Sequence, residues 1–553
     1  MIIDHEWFKK LTKMSTKNQE LLDQIDGLKK QIISLSQQKR YGLVWEEKPE
    51  IFDEQSRNAL PVLVEKERPF EDVIYDPNDN FNILIEGDNY HSLSVLKYTH
   101  RNSIDVIYID PPYNTGNEDF IYNDNIIDKE DTFRHSKWLS FMNKRLDLAK
   151  DLLKDDGVIF ISIDDNEQAQ LKLLCDGIFG DENFIGSLLW KRAKGGGNAK
   201  GIVKGHDFIL VYTKKTKKTL LKDKSIQKKV IEKDGESFIL NDDFLRKVFG
   251  KYDKTLERRC LYEEILEYKS EKKKQEIDEA IERGEYQLIQ YKNTKLHMVA
   301  RLEPLETAVS TFYSIIEGCL SEDGKADLEK LDMDEIFDYP KPVELIKRLL
   351  KSIVKFNKRA SILDFMAGSG TTGHAVLELN KEDGGNRKFI LCTNNENKIC
   401  EEVTYERIKR VSKGYKNKKG EKVEGLGGNL KYLKTDFIQI DKSIDDLKEK
   451  VVEASTQILC LKESTFKEHK TLEKIKIYES SSQYTAILFD TFYLKEFTEV
   501  LNSLKDKHVS VYVFAYDKNF SKEEFSSLSQ FIDYTVEPIP EKLLETYQEI
   551  FNF

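Results

Sequence analysis

The chain has 553 residues and is poor in the residue types that carry metal, redox or membrane chemistry. Its six cysteines (Cys175, Cys260, Cys319, Cys392, Cys400 and Cys460) include no C-x-x-C pair. That argues against a dithiol site and suits reduced cytosolic thiols, most of them buried as small apolar groups. The nine histidines fall at no metal-ligand spacing, so no metal is expected. No apolar run approaches the roughly 20 residues of a membrane span. The opening Met1-Ile2-Ile3-Asp4-His5-Glu6-Trp7 lacks the basic and apolar regions of a secretory signal. These absences lead us to expect a cytoplasmic protein with no membrane partner.

Hydrophobic residues make up 39% of the chain and aromatics 11%, enough for real cores, and the length implies several domains. A net charge of −11 looks unsuited to a polyanionic partner. The local distribution differs. Residues 191–229 hold 13 Lys or Arg against two acids, Asp207 and Asp223. A second basic run covers Lys409, Arg410, Lys413, Lys416, Lys418, Lys419 and Lys422. Lysine runs are usually solvated faces. The first run, however, contains Gly195-Gly196-Gly197 and starts beside Trp190, at the end of an expected strand. A flexible backbone there can approach phosphates, so a DNA channel is favoured over the solvated face.

Proline is scarce, at 11 residues, and two are adjacent in Asp110-Pro111-Pro112-Tyr113. The pair alone is weak evidence; a proline turn is the common reading. Its position is informative, because it closes the apolar strand Asp105-Val106-Ile107-Tyr108-Ile109, and open α/β sheets bind ligands at strand carboxyl ends. An exocyclic adenine amine is a poor nucleophile, since its lone pair is delocalised into the ring. An enzyme that alkylates it needs acceptors for both N–H hydrogens. Asp110 supplies a carboxylate and Pro111 a carbonyl. The prolines fix φ and carry no N–H. Tyr113 offers a face on which a flipped base can stack.

A second element, Ser361-Ile362-Leu363-Asp364-Phe365-Met366-Ala367-Gly368-Ser369-Gly370-Thr371-Thr372-Gly373, reads as strand, tight loop and helix. Gly368, Gly370 and Gly373 satisfy G-x-G-x-x-G, a weak signal by itself. Another strand follows at 389–393, and just beyond it Glu396 can accept hydrogen bonds from a ribose or stand as a solvated loop carboxylate. A nicotinamide site would look similar, but a hydride-transfer enzyme has no evident use for Asp-Pro-Pro-Tyr.

Taken together these motifs resemble the DNA adenine-N6 methyltransferases that use S-adenosylmethionine. The order, with Asp-Pro-Pro-Tyr ahead of Phe-Met-Ala-Gly-Ser-Gly-Thr-Thr, resembles their permuted beta group. The segments Asn82-Ile83-Leu84-Ile85-Glu86-Gly87-Asp88-Asn89-Tyr90 and Gly157-Val158-Ile159-Phe160-Ile161-Ser162-Ile163-Asp164-Asp165-Asn166-Glu167 are similar to those of modification (Mod) subunits of type III restriction–modification systems. The likeness runs from about residue 40 to the C-terminus and is weakest between 220 and 335. It implies a base site at Asp110, Pro111, Pro112 and Tyr113. It implies a cofactor site made by Asp88, Lys341, Asp364, Phe365, Ala367, Gly368, Ser369, Gly370 and Thr371, with Glu396. His206-Asp207-Phe208 resembles the family segment that helps hold the flipped base, though Phe208 is equally well a core residue. DNA contacts are expected from Lys191, Arg192, Lys194, Lys214, Lys215, Lys217 and Lys218. Double-stranded DNA, a second copy of the chain and a restriction (Res) helicase–nuclease subunit are the implied partners. A cytosine-N4 or RNA methyltransferase, a stand-alone enzyme and a non-catalytic DNA-binding subunit stay open.

The expected fold is α/β. A doubly wound, Rossmann-like methyltransferase sheet carries an inserted, mainly helical target-recognition domain and a small C-terminal α/β domain. Residues 1–40 read as one helix. Leu11, Asn18, Ile25 and Ile32 take one heptad position, and Met14, Leu21, Leu28 and Leu35 the other, a pattern suited to dimerisation or to packing on the chain's own α/β domain. Residues 41–214 form the first part of the catalytic domain. The insert covers 215–339, with helices at 258–283 and 292–317. The cofactor part covers 340–435 and the C-terminal domain 436–553.

Overall fold

The computed structural model describes residues 45–51, 55, 58–65, 81–117, 120–122, 125–195, 201–223, 230–233, 236–247, 257–304, 309–333, 336–440, 444–504, 507–514, 525, 533–539 and 541–551. The heptads at 11–35 lie outside these residues, as do Gly196, Gly197, Lys200, Lys224, Lys228 and Lys229.

The apolar runs form one ten-stranded sheet. Its strands are β1 (Ala59–Glu65), β2 (Phe81–Glu86), β3 (Ile104–Ile109), β4 (Leu153–Ile163), β5 (Phe184–Lys191), β6 (His206–Thr213), β7 (Ile315–Ile316), β8 (Ser361–Asp364), β9 (Lys388–Thr393) and β10 (Asn429–Gln439). Their spatial order is β1-β10-β2-β9-β8-β3-β4-β6-β5-β7. From β10 to β4 neighbours run parallel; β6 is antiparallel to both β4 and β5. All residues of β2 and β3 are buried, as a parallel sheet covered on both faces requires. One face packs on α1 (Asn89–Thr99), α2 (Arg134–Leu152) and α3 (Gln168–Phe179). The other packs on α4 (Val343–Val354) and α5 (Thr371–Asp383). The doubly wound expectation holds.

The insert differs from expectation. It is not mainly helical. Its centre is a four-stranded antiparallel sheet of Val230–Lys233, Glu236–Asn241, His297–Pro304 and Tyr286–Gln290, in that spatial order. The expected helix 292–317 is replaced by His297–Pro304, Val309–Thr311 and β7. These strands are only half-buried, so their apolar alternation is diluted by lysine and glutamate. The expected helix 258–283 is two shorter ones, Ile265–Tyr268 and Glu271–Glu282, restarted where the Ser270 hydroxyl accepts from the Lys273 N–H.

Both expected boundaries also move. Ile315–Ile316 already pairs with β5, and Leu328, Leu331 and Met333 pack in the core under α4. At the far end, β10 runs through residue 436 to Gln439 and pairs with β1 along that length. Beyond it lies a five-stranded sheet of Lys467–Thr471, Ile475–Glu479, Gln483–Leu488, His508–Phe514 and Tyr534–Ile539.

Candidate active site

Strands β3 and β8 are parallel neighbours, with Leu363 opposite Ile107. The loops that leave their carboxyl ends therefore start about 5 Å apart. One loop is Asp110-Pro111-Pro112-Tyr113-Asn114 and the other is Phe365–Gly370. Between them opens a cavity of about 790 Å³. Asp110, Pro111 and Pro112 line it, together with Asp88, Asn89, Phe365, Met366, Gly368 and Glu396. Two motifs about 250 residues apart in sequence thus share one chamber.

On the Asp110–Asn114 loop, Asp110 Oδ1 and the Tyr113 hydroxyl are buried and, among the described residues, neither has a hydrogen-bond partner outside the loop. Asp110 Oδ2 accepts from Lys341 Nζ at 2.5 Å, and the same ammonium sits 5.1 Å from the centre of the Tyr113 ring. Burial raises the Tyr113 phenol well above its usual range, so it stays a neutral donor and acceptor. The Trp138 Nε1–H, on α2, donates to the Pro112 carbonyl at 2.7 Å. That carbonyl is engaged, and the acceptor beside Asp110 is left to Pro111.

The glycine loop is built differently. Asp364 is buried; its Oδ1 accepts from the Met366 N–H at 3.0 Å and its Oδ2 from the Thr372 hydroxyl at 2.5 Å. Burial pushes its carboxyl up to about 7. The buried Arg407 donates to the Ser369 Oγ at 3.1 Å and the Thr371 Oγ1 at 2.8 Å. These side chains face inward, and Asp364, Ala367, Ser369, Gly370 and Thr371 shape the loop without lining the cavity. Gly368 has φ +50°, a left-handed conformation that disfavours any side chain. Gly373 serves packing, because a Cβ there would meet Ile408 Cδ1 at 2.6 Å.

Asp88 caps α1 by accepting from the Tyr90 N–H at 2.7 Å. Arg145, fully buried on α2, holds this corner: it donates to Asn89 Oδ1 at 2.5 Å and to the two Glu50 oxygens at 3.1 and 3.0 Å. Several cavity residues carried no signal in the sequence. Glu50, Phe120, Tyr122, Phe337, Tyr339, Asn394, Ile399 and Val403 all line it. Ile399–Tyr405 is wound as a π-helix, which places the Thr404 hydroxyl 2.5 Å from the Gly368 carbonyl.

The residues expected to contact DNA separate into two groups. β6 is antiparallel to β4, so its start lies at the Asp110 end of the sheet and its finish at the opposite end. Lys191, Arg192 and Lys194 leave β5 at the site end, where they pair with Glu317, Asp207 and Glu322. Lys214, Lys215, Lys217 and Lys218 leave β6 at the other end. Lys214 is buried there, its ammonium donating to Asn102 Oδ1 at 2.5 Å and the Leu153 carbonyl at 2.8 Å. Lys215 pairs with Asp155 and Lys218 with Asp156. The expectation of one continuous channel over 191–229 is corrected accordingly, because eight residues of strand carry the chain across the sheet. Phe208 is half-buried, packs against the core and does not line the cavity. Its neighbour Asp207 is buried, and its carboxyl is raised to about 6 by burial, opposed by Arg192 and Lys341. Lys341, expected near the methionine end of the cofactor, pairs with Asp110.

No group of three or more His, Cys, Asp or Glu that could hold a metal occurs among the described residues. Among the same residues no helix is long and apolar enough to cross a membrane.

Comparison with known proteins gives a family match, described as DNA methylase, over residues 104–406. The chain is 33% identical to the type III restriction-modification enzyme StyLTI Mod subunit of Salmonella typhimurium over 380 residues, 61% of this chain and 56% of that protein. It is 33% identical to the type II methyltransferase M.KpnI of Klebsiella pneumoniae over 391 residues, 61% of this chain and 89% of that protein. It is 30% identical to the EcoPI Mod subunit of Escherichia phage P1 over 376 residues, 57% of this chain and 58% of that protein. The match therefore spans somewhat over half the length of each Mod subunit and most of the type II enzyme.

Proposed function

We propose, from a chain that belongs to the DNA methylase family, that it moves a methyl group from S-adenosylmethionine to N6 of an adenine flipped out of duplex DNA. The observation that carries this reading is the shared cavity, with an unsatisfied carboxylate oxygen on one wall and the glycine loop on the other. Its volume suits a nucleoside-sized ligand. Asp88 and Glu396 offer carboxylates for hydroxyls, and Phe365, Ile399 and Val403 offer apolar surface for a ring. S-adenosylmethionine, when bound, supplies a methyl group on a positively charged sulfur.

The chain's own residues do the rest. Asp110 Oδ1 and the Pro111 carbonyl accept the two N–H hydrogens of the amine, which raises electron density on nitrogen and stabilises the charge that develops there. Asp110 is also the acceptor for the proton that nitrogen sheds. Lys341 balances the carboxylate from its other oxygen. Tyr113 gives the base a stacking face. The Lys191–Lys194 segment meets phosphates at the site end of the sheet. The half-buried sheet at 230–304 reads the sequence.

Radiolabelled transfer to duplex DNA, followed by nucleoside analysis, tests this. Label in N6-methyladenine is expected. Label in N4-methylcytosine would assign the alternative amine, and cofactor binding without transfer would assign the non-catalytic subunit.

The biological setting we propose is a type III modification subunit, cytoplasmic and homodimeric, that serves a restriction subunit. Similarity to two Mod subunits supports it. A stand-alone type II methyltransferase is the second reading, favoured by the 89% coverage of M.KpnI. Light scattering at micromolar concentration tests the dimer; a monomer ends that part. Deleting residues 1–40 tests the heptad helix as its contact.

A further inference from the structure

The segment ending in Asp164-Asp165-Asn166-Glu167 has no part in the chemistry above, yet Glu167 is fully buried. It stands at the start of α3, where a carboxylate ordinarily caps the helix, and makes no such bond. Its Oε1 turns instead to the reactive loop. It accepts from Asn114 Nδ2 at 2.5 Å and lies 2.6 Å from His135 Nδ1. Asn114 follows Tyr113 directly, is fully buried, and has φ +55°. Asn is one of the few non-glycine residues that takes this conformation readily. His135 is in the first turn of α2, the helix whose Trp138 holds the Pro112 carbonyl and whose Arg145 holds the Asp88 corner. Burying a carboxylate is costly unless it does something specific. Here it joins the end of the base loop to the helix that braces both sides of the cavity.

We infer that Glu167 is a positioning residue for the reactive loop: by holding Asn114 against α2 it sets Tyr113 and Asp110 for the target amine. It does not line the cavity. Misplacing reactive groups by about 1 Å costs about a hundredfold in rate. The effect therefore falls on kcat and spares cofactor affinity.

The inference rests on the proposed methyl transfer, so the wild type is assayed first. Glu167→Ala, Asn114→Ala and the double variant are then compared for kcat, KM for duplex DNA and Kd for S-adenosylmethionine. Each single variant should lose about tenfold to a hundredfold in kcat with Kd within about twofold of wild type. The double should lose well under the product of the two single losses, because the Asn114–Glu167 contact is common to both. Glu167→Gln keeps an acceptor for Asn114 and should recover most of kcat. It also guards against misfolding, as does His135→Ala, whose ring is 40% exposed; that change should lower kcat in the same direction. Additive losses, equal losses in Glu167→Gln and Glu167→Ala, or cofactor affinity falling in step with turnover would overturn the inference. A wild type that transfers no methyl group would overturn the proposed function and this inference together. Wild-type transfer left unchanged by Glu167→Ala would overturn the inference alone.

Discussion

The two loops that face each other across the cavity are finished in opposite ways. In the glycine loop every polar side chain from Asp364 to Thr372 has a partner within the protein. In the Asp110–Asn114 loop Asp110 Oδ1, the Tyr113 hydroxyl and Asn114 Oδ1 are buried with none outside the loop among the described residues. A buried polar atom left unpaired costs about 1–3 kcal/mol. One loop is thus a closed frame that offers backbone and apolar surface. The other stands open to the polar edge of an incoming group. A ligand held by shape belongs to the first and a ligand held by hydrogen bonds to the second.

The largest expected effect removes the open side. Asp110→Ala should lower methyl transfer by about a hundredfold or more, as loss of a transition-state acceptor does. Calorimetry should show S-adenosylmethionine still bound. Near-normal turnover would erase the distinction between the loops. Gly368→Val does the converse. A branched side chain at φ +50° strains the frame by about 1–3 kcal/mol and intrudes on the cavity, so cofactor affinity should fall about tenfold or more. Binding of NADH in place of S-adenosylmethionine by the wild type would assign the frame to another cofactor.

Asp364 sharpens the comparison through pH. Its carboxyl is raised from 3.8 to about 7, so the folded state favours the protonated form. The stability this contributes is complete below about pH 4 and is lost as pH rises through about 7. Asp364→Asn should flatten that decline in thermal unfolding between pH 5 and 8. An unchanged profile would show that the closed frame does not bury its charge. The smallest effect concerns salt. Neutralising Lys191 and Lys194 should flatten log affinity for DNA against log salt by up to about one unit per lost phosphate contact. Neutralising Lys215, Lys217 and Lys218 should leave the slope unchanged. Equal slopes for the two sets would show that DNA wraps both ends of the sheet.

Much of this was legible in the sequence. Strands β3, β4, β6 and β8 are apolar runs, as burial on both faces of the sheet demands, and the two loops follow from β3 and β8. What failed has physical causes. The insert's sheet is solvated, so its strands carry the lysine and glutamate that elsewhere mark helices. The basic run is continuous in sequence and discontinuous in space, because no composition records that β6 turns the chain end for end. Lys341 reaches Asp110 across 231 residues, and Glu167 reaches Asn114 across 53. Such pairings follow from sheet order, which local patterns do not contain.

That sheet order also governs how the chain is made. Strands β2 and β3 are consecutive in sequence, yet β9 and β8 stand between them, and both are synthesised after every other strand of the sheet except β10. At about 5–20 residues per second, the stretch from Ile109 to Thr393 occupies a ribosome for roughly 15–60 s. Through that interval the nascent chain holds two apolar strands whose facing edges have no neighbours. The sheet closes when a late pair slots into a waiting gap, and the cavity comes into existence at the same moment. A chain that stops before β8 therefore lacks both the centre of the sheet and one wall of the cavity.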